Sequence, residues 1–322
     1  MSLLTLRIGS RPSTLAMTQA RIVEQSIRAV LPDVVIEIKP IRTSGDRMTA
    51  ASLADIGGKG LFIKELESAL ADRRIDLAVH SMKDLPARLS SRFRIAATPP
   101  RQDPRDVMIP RDIMSASDGG GLDALAPGAR LGTSSPRRRF QALSARPDLE
   151  IIPMRGNVDT RLAKLAAGPC DAIILAMAGL VRLGRAAESN LTMLDERKFV
   201  PAGGQGALAL ETIADLPLCG SPELENALRA INDPRCECET AAEREFLAVI
   251  GASCVTPIGV KATLEGKRLT VRALLFAQNG ERSLADELEV VLEKSALGAV
   301  AAGAALGHRM LERGAAELIG NG

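Results

Sequence analysis

Two stretches far apart in the chain follow one pattern: Ile8-Gly9-Ser10-Arg11-Pro12 and Leu131-Gly132-Thr133-Ser134-Ser135-Pro136. Each ends an apolar run in small and polar residues and opens a helical pattern. A second echo pairs Ile75-Asp76-Leu77-Ala78-Val79-His80 with Asp171 to Met177. Both are near-continuous apolar runs of the kind buried on both faces of a parallel sheet. A strand of that type needs helices on each side, so the doubled pattern predicts two similar α/β lobes. Within the first, Leu4 to Ile8 alternates as a strand, and Leu15, Ile22, Val23, Ile27 and Val30 form one helical stripe. Val34 to Ile41 reads as the next strand and Leu61 to Leu70 as a second amphipathic helix after Gly57-Gly58-Lys59-Gly60.

The Pro-rich Thr98 to Pro104 and the Gly-rich Phe199 to Gly206 are expected to carry the chain between lobes, which makes a clamshell with a cleft. Past about residue 220 the period changes. Val260 to Val291 alternates like an antiparallel meander, broken by Glu265-Gly266 and by the hairpin signal Asn279-Gly280, and an Ala-rich helix follows from Ser295 to Ile319. The expected class is α/β in three domains. A first lobe takes 1–100 plus 203–220, a second takes 105–199, and a smaller domain with an antiparallel sheet takes 222–322.

Charge narrows the function. With 41 Lys+Arg against 39 Asp+Glu there is no global pull toward nucleic acid or a membrane surface. Neither a signal-like start nor a membrane-length apolar run is present, so a soluble cytoplasmic protein is expected. Five scattered Cys fit neither a disulfide framework nor a four-thiolate metal site, and two His leave no imidazole near Cys236 and Cys238. No metal is expected.

Anions must therefore be met locally. Of the 41 basic residues 32 are Arg, whose planar fork suits carboxylates, although codon bias accounts for such a skew equally well. Ser135 and Pro136 suit an N-cap and first helical position, which puts Arg137, Arg138 and Arg139 in a first turn where the helix dipole disfavours cations. An anion held there would resolve the conflict; a solvated basic surface is the plainer reading. Arg11 with Ser13, Arg155 and Arg161 around Gly156-Asn157, and Arg182 repeat the placement at strand ends, and that convergence favours a multi-anion cleft. His80-Ser81-Met82-Lys83-Asp84-Leu85-Pro86 follows a buried strand, where parallel sheets open onto ligands. Asp84 beside Lys83 could move protons or form an ordinary ion pair. Lys59 and Phe62 could belong to a mobile lid, Phe62 otherwise being core. Cys254, in the small-residue turn Gly251 to Gly259, could be a nucleophile, an attachment point or an inert thiol.

Taken in order, Ile8-Gly9-Ser10-Arg11, Gly57-Gly58-Lys59-Gly60-Leu61-Phe62, His80 to Pro86, Arg155-Gly156-Asn157 and Pro257-Ile258-Gly259 resemble the porphobilinogen deaminase family, also called hydroxymethylbilane synthases, from about Leu6 to Leu311. The resemblance implies two lobes like periplasmic binding proteins and a third α/β domain. It also implies a transferase that joins four porphobilinogens into a linear tetrapyrrole, on a dipyrromethane cofactor held as a thioether by Cys254. Asp84 would be the general acid and base. Lys83, Thr133, Ser135, Arg137, Arg138 and Arg155 would hold the cofactor, and Arg11, Ser13, Arg161, Arg182, Lys59 and Phe62 the substrate. The chain departs from the family at Ala252-Ser253, where two Gly usually precede the cysteine. A monomer acting on porphobilinogen, without nucleic acid or membrane partners, is implied. Two other classes compete: a clamshell receptor or sensor for a small anion, and a cysteine hydrolase, which two His disfavour.

Overall fold

The structure is a computed structural model, and it describes residues 4–43, 63–112, 121–187, 191–214, 218–253, 255–293 and 295–320. Lys59, Phe62 and Cys254 lie outside the described residues.

The first lobe is built on β1 (Thr5–Ser10), β2 (Val35–Pro40), β3 (Leu77–Ser81), β4 (Phe93–Ala97) and β10 (Leu208–Ile213), in the sheet order β2-β1-β3-β10-β4. The second uses β5 (Asp106–Pro110), β6 (Arg130–Gly132), β7 (Glu150–Ile152), β8 (Ala172–Ala176) and β9 (Thr192–Met193), in the order β7-β6-β8-β5-β9. Four of the five strands in each sheet run the same way, and the other, β10 or β5, is antiparallel to both neighbours. Those two strands are the ones entered directly from a crossing between lobes. The sequence echoes thus correspond to equivalent strands: β1 with β6, and β3 with β8.

Helices cover both sheets as the apolar spacing predicts. In α1 (Thr14–Val30) the residues Ala20, Val23 and Ile27 are buried against Leu6, Ile8, Leu77, Val79 and Leu210. Fully burying side chains of this size contributes roughly 1.5–3 kcal/mol each. The second helix, α2, runs Lys64–Ala71 and buries Leu66, Ala69 and Leu70. In the other lobe α3 is Pro136–Ala145, α4 is Val158–Ala166 and α5 is Met177–Arg182.

The third sheet is the expected meander, β11 (Ile258–Glu265), β12 (Arg268–Phe276) and β13 (Ser283–Val291), packed against α7 (Pro234–Ile250) and α8 (Ser295–Glu312). The Ala-rich run has a packing reason. At Gly303 a methyl group would strike the Ala242 carbonyl of α7, so the helices meet backbone to backbone. Gly314, in the left-handed region at φ 91°, separates α8 from the short α9 (Ala315–Ile319). Among the described residues no helix is long and apolar enough to cross a membrane.

One helix sits elsewhere than its place in the sequence suggests. The apolar stripe Leu224, Ala227, Leu228 and Ile231 of α6 (Pro222–Ile231) packs into the core of the first lobe, not of the meander domain. Only Asn232 and Asp233 separate α6 from α7, and both bond Thr98 at the start of the first crossing. The turn thus lacks the Pro/Gly signature of a linker.

The two crossings are also bonded to each other, the Gln102 amide donating to the Gly206 carbonyl at 3.1 Å. Gly206 has φ +88°, and a methyl group there would press on the Gln102 carbonyl. Gly206→Ala is therefore expected to cost roughly 1–3 kcal/mol of stability, read by thermal unfolding in far-UV circular dichroism; an unchanged midpoint would show that the crossings yield freely.

Candidate active site

Strand β3 delivers its last residues to the cleft. A single 3-10 turn, Met82–Asp84, follows and is closed by the Leu85 amide donating to the Met82 carbonyl at 3.1 Å. Met82 is buried and its amide donates to Ala207 of the second crossing, so the turn is fixed from below while Lys83 and Asp84 keep their side chains open above. Beside them Gln19 of α1 bonds Ser81 at 2.8 Å, and His80 bonds Glu211 of β10 at 2.8 Å in the interior.

Ser13, Ser135 and Asn157 cap α1, α3 and α4, accepting from the amides of Ala16, Arg138 and Thr160. Each cap turns a strand end into a helix at the cleft, which is what Ser and Asn favour by bonding a first-turn amide. Thr133 is buried, and its hydroxyl accepts from the Ser135 amide. It shapes the same turn.

The arginines of that first turn meet an anion, and it is the protein's own. Asp106, the fully buried first residue of β5, takes Arg137 Nη1 on Oδ2 at 2.7 Å, and Arg138 Nε and Nη2 on Oδ1 at 3.0 and 2.7 Å. Arg137 also donates to the Val200 carbonyl and Arg138 to the Ile174 carbonyl. Burial alone would raise the Asp106 carboxyl's pKa, but the two guanidiniums outweigh it and hold the group far below the usual carboxylate range. Arg139, the third of the run, lies over the Phe140 ring at 5.2 Å.

One carboxylate does not balance this cluster. Lys83 joins the two arginines, lining the cleft cavity where it is accessible to solvent yet closely surrounded by protein. Burial first, then Arg138, lower its ammonium to about 8. Arg161 is brought down to about 10 by burial and by Arg138, and it is also within the field of Asp84. Arg182 is lowered to about 10 by burial, and it donates to the Gly206 carbonyl at 2.6 Å. With values near 10, Arg161 and Arg182 stay charged at neutral pH. A desolvated surplus of cations of this kind calls for anionic ligands.

A cavity of about 430 Å³ brings the parts together. Lys83, Asp84, Ser135, Arg137 and Gly203 line it, as do Gly251, Ala252, Ser253 and Thr256, the turn on either side of Cys254. All three domains contribute. Its size suits a ligand of two small rings, and its charge suits one bearing several carboxylates. A smaller pocket of about 70 Å³ touches Asp84 from the other side, with Arg11, Ser13, Gln19, His80 and Ser81. A larger cavity, about 810 Å³, lies apart from these residues, along 100–105, 193–197 and the start of α7. Several of its charges are matched in pairs such as Arg105–Asp103 and Arg235–Glu239, and neither Asp84 nor the cleft arginines line it.

Of the residues singled out in the sequence, Lys83, Asp84, Ser135, Arg137, Arg138, Arg161, Arg11 and Ser13 are thus brought to one centre. Thr133 supports its edge and Arg182 sits on the second crossing, while Arg155 stands half-buried on the turn after β7. Asp106 and Gln205 were not foreseen. A signal for Asp106 existed, since it is the one charged position in Asp106-Val107-Met108-Ile109-Pro110, buried throughout. Cys170, Cys236 and Cys238 are free and buried, and burial pushes the Cys236 thiol up to about 12. They are inert packing.

Two family models match the chain: "Porphobilinogen deaminase, dipyromethane cofactor binding domain" over residues 6–217, and "Porphobilinogen deaminase, C-terminal domain" over 237–312. Among curated relatives, the porphobilinogen deaminase of Syntrophus aciditrophicus is 41% identical over 314 residues, covering 98% of this chain and 97% of that protein. That of Bacillus mycoides is 44% identical over 313 residues, covering 97% and 96%. Among solved structures, a TRAP periplasmic solute binding protein from Desulfovibrio salexigens overlaps at TM-score 0.41 and 12% identity, covering 72% of this chain and 73% of its own. A likeness that loose carries no argument.

Proposed function

The chain belongs to the porphobilinogen deaminase family, and on that premise we propose that Asp84 is its proton-transfer group and the Arg137/Arg138 side of the cleft its cofactor cradle. The enzyme is a transferase. It joins four porphobilinogens, with loss of ammonia, into linear hydroxymethylbilane, and it uses a dipyrromethane cofactor. When bound, that cofactor supplies the pyrrole carbon on which the chain grows.

The residues present suit this group. Each pyrrole bears an acetate and a propionate, and the surplus cations of the cavity match them at roughly 1.5–3 kcal/mol per charge-assisted bond. Arg137 and Ser135 from the second lobe and Lys83 from the first would hold carboxylates, with Arg138, Arg155 and Thr133 behind them. The thioether would form on Cys254, whose neighbours Ser253 and Thr256 line the same cavity. Arg11 and Ser13, with Arg161 and Arg182, would take the incoming porphobilinogen, and Lys59 and Phe62 would cover it.

Asp84 stands between the two cavities. As an acid it gives a proton to the departing amine. As a carboxylate it then faces the cationic methylene-pyrrole left behind, and it takes up the proton released when the new ring regains aromaticity. Lys83 and the arginines keep the carboxylates of both reactants away from Asp84, so that one aspartate can change state in every cycle. The balance of 41 basic and 39 acidic residues supports a small-molecule substrate, and we read the protein as a cytoplasmic monomer.

The observation that carries this reading is the cavity shared by Asp84, the buried Arg137 and the residues on either side of Cys254. Intact-mass measurement tests it: protein made in cells that synthesise porphobilinogen should be heavier than its sequence by two linked pyrroles, with the adduct on the peptide containing Cys254. An unmodified Cys254 in active enzyme would refute it.

A further inference from the structure

Gln205 sits on the second crossing and is 1% exposed. Its side-chain amide reaches both lobes. Nε2 donates to the Pro104 carbonyl at 2.6 Å and to Asp106 Oδ1 at 3.0 Å, at the entrance to the second lobe, while Oε1 accepts from Lys83 Nζ at 3.3 Å, on the first. Its backbone is held too, the carbonyl accepting from Arg101 Nε at 2.9 Å. Lys83 and Asp106 are therefore linked through one neutral group, and Asp106 is the carboxylate on which Arg137 and Arg138 are anchored.

The chemistry of that link is restrictive. It must offer an acceptor to a cation and a donor to an anion without adding charge to a crowded, desolvated cluster. A carboxylate would accept from Lys83 but repel Asp106, and a cation would do the reverse. Among side chains of this length only the amide does both.

We propose that Gln205 is a positioning residue that sets the distance between the Lys83–Asp84 turn and the Arg137/Arg138 cradle, so that the proton-handling group of one lobe stays in register with the carboxylate anchor of the other while the product lengthens. The inference rests on the assignment of Asp84 and the cradle made above. It adds a residue that need not touch substrate, and it makes the hinge itself part of the catalytic geometry. A shift of about 1 Å between reacting groups can cost on the order of a hundredfold in rate, and the Gln205 side chain bonds both sides of that gap.

The test compares Gln205→Leu and Gln205→Glu in the full-length, cofactor-loaded enzyme. Lys83 is faced by Asp84 on its own turn and by Arg137, Arg138 and Asp106 from the second lobe, with Arg244 of α7 reaching the adjacent Met82. Removing the acceptor at 205 disfavours the charged ammonium, and adding a carboxylate there favours it. Both variants are expected to keep the covalent dipyrrole by intact mass and to lose about tenfold or more in kcat with a smaller change in KM. Partly elongated enzyme should accumulate in native mass spectra. The basic limb of the kcat profile should move down in the Leu variant and up in the Glu variant, a pair of opposite shifts that loss of packing alone does not produce. Wild-type kcat, limbs that move together, or loss of the dipyrrole would each overturn the inference. If the Leu variant does not fold, the direction of the limb in the Glu variant decides. Asp84→Asn run in parallel separates the two levels, since an active Asp84→Asn enzyme sinks the site assignment itself, whereas an inactive one beside a normal Gln205→Leu sinks only the role of Gln205.

Discussion

Asp84→Asn should leave a folded protein that still carries its dipyrrole, yet lower kcat by roughly 10²–10⁴-fold, the range general acid–base catalysis contributes. The amide keeps the size and much of the hydrogen bonding of the carboxylate, and the 3-10 turn that presents it is built from Met82, Leu85 and Ala207, which the change does not touch. What is lost is the ability to give and take a proton and to face a cationic ring with negative charge. The loss should fall on kcat more than on KM, because Arg11, Ser13 and the arginines of the second lobe still bind the substrate's carboxylates. Single-turnover mixing with porphobilinogen reads it directly: ammonia release should slow with the same factor as product formation. An Asn variant within a few-fold of wild type would remove Asp84 from the chemistry, and attention would pass to Lys83, whose ammonium is lowered to about 8 by burial and by Arg138.

The scaffold of the site could be read from local chemistry because local chemistry makes it. Leu77-Ala78-Val79 and Ile173-Ile174-Leu175 are apolar on both faces because helices cover both faces, and Ser13, Ser135 and Asn157 announce helix starts by the bonds they make three residues on. The placement of Asp84 just past β3 follows from the same pattern. Its partners were not legible in that way. Arg137 and Arg138 looked like open anion binders because the residue that engages them lies 31 and 32 positions earlier, on a strand that runs the opposite way in the sheet. Helix α6 was misplaced for a related reason, since nothing in Leu224 to Ile231 says which of two neighbouring cores will receive the stripe. The general form of the error is that periodicity reports that a face is buried, or that a cation wants an anion, without reporting what supplies it.

Asp106→Asn is the variant expected to disturb the fold most among those at the cleft. The carboxylate is fully buried and receives three guanidinium bonds and one amide bond, so its neutral replacement leaves two arginine charges desolvated with one accepting oxygen in place of two. Removing one partner from a buried ion pair typically costs about 3–5 kcal/mol, and here two cations depend on the same partner. The chain has no Trp and no Tyr, so unfolding is best followed by far-UV circular dichroism in urea or by calorimetry rather than by intrinsic fluorescence. The pH dependence has a definite sign. The folded-state pKa of Asp106 lies below that of the unfolded chain, near 3.9, so its contribution is fully present above about pH 4 and is lost as the pH falls from there toward the folded value. Wild type and Asp106→Asn should therefore differ most at neutral pH and converge in acid. A gap that stays constant from pH 7 down to pH 3, or no gap at all, would mean that the arginine pair is held by Val200, Ile174 and its own packing, and that Asp106 is not the anchor on which the cradle depends.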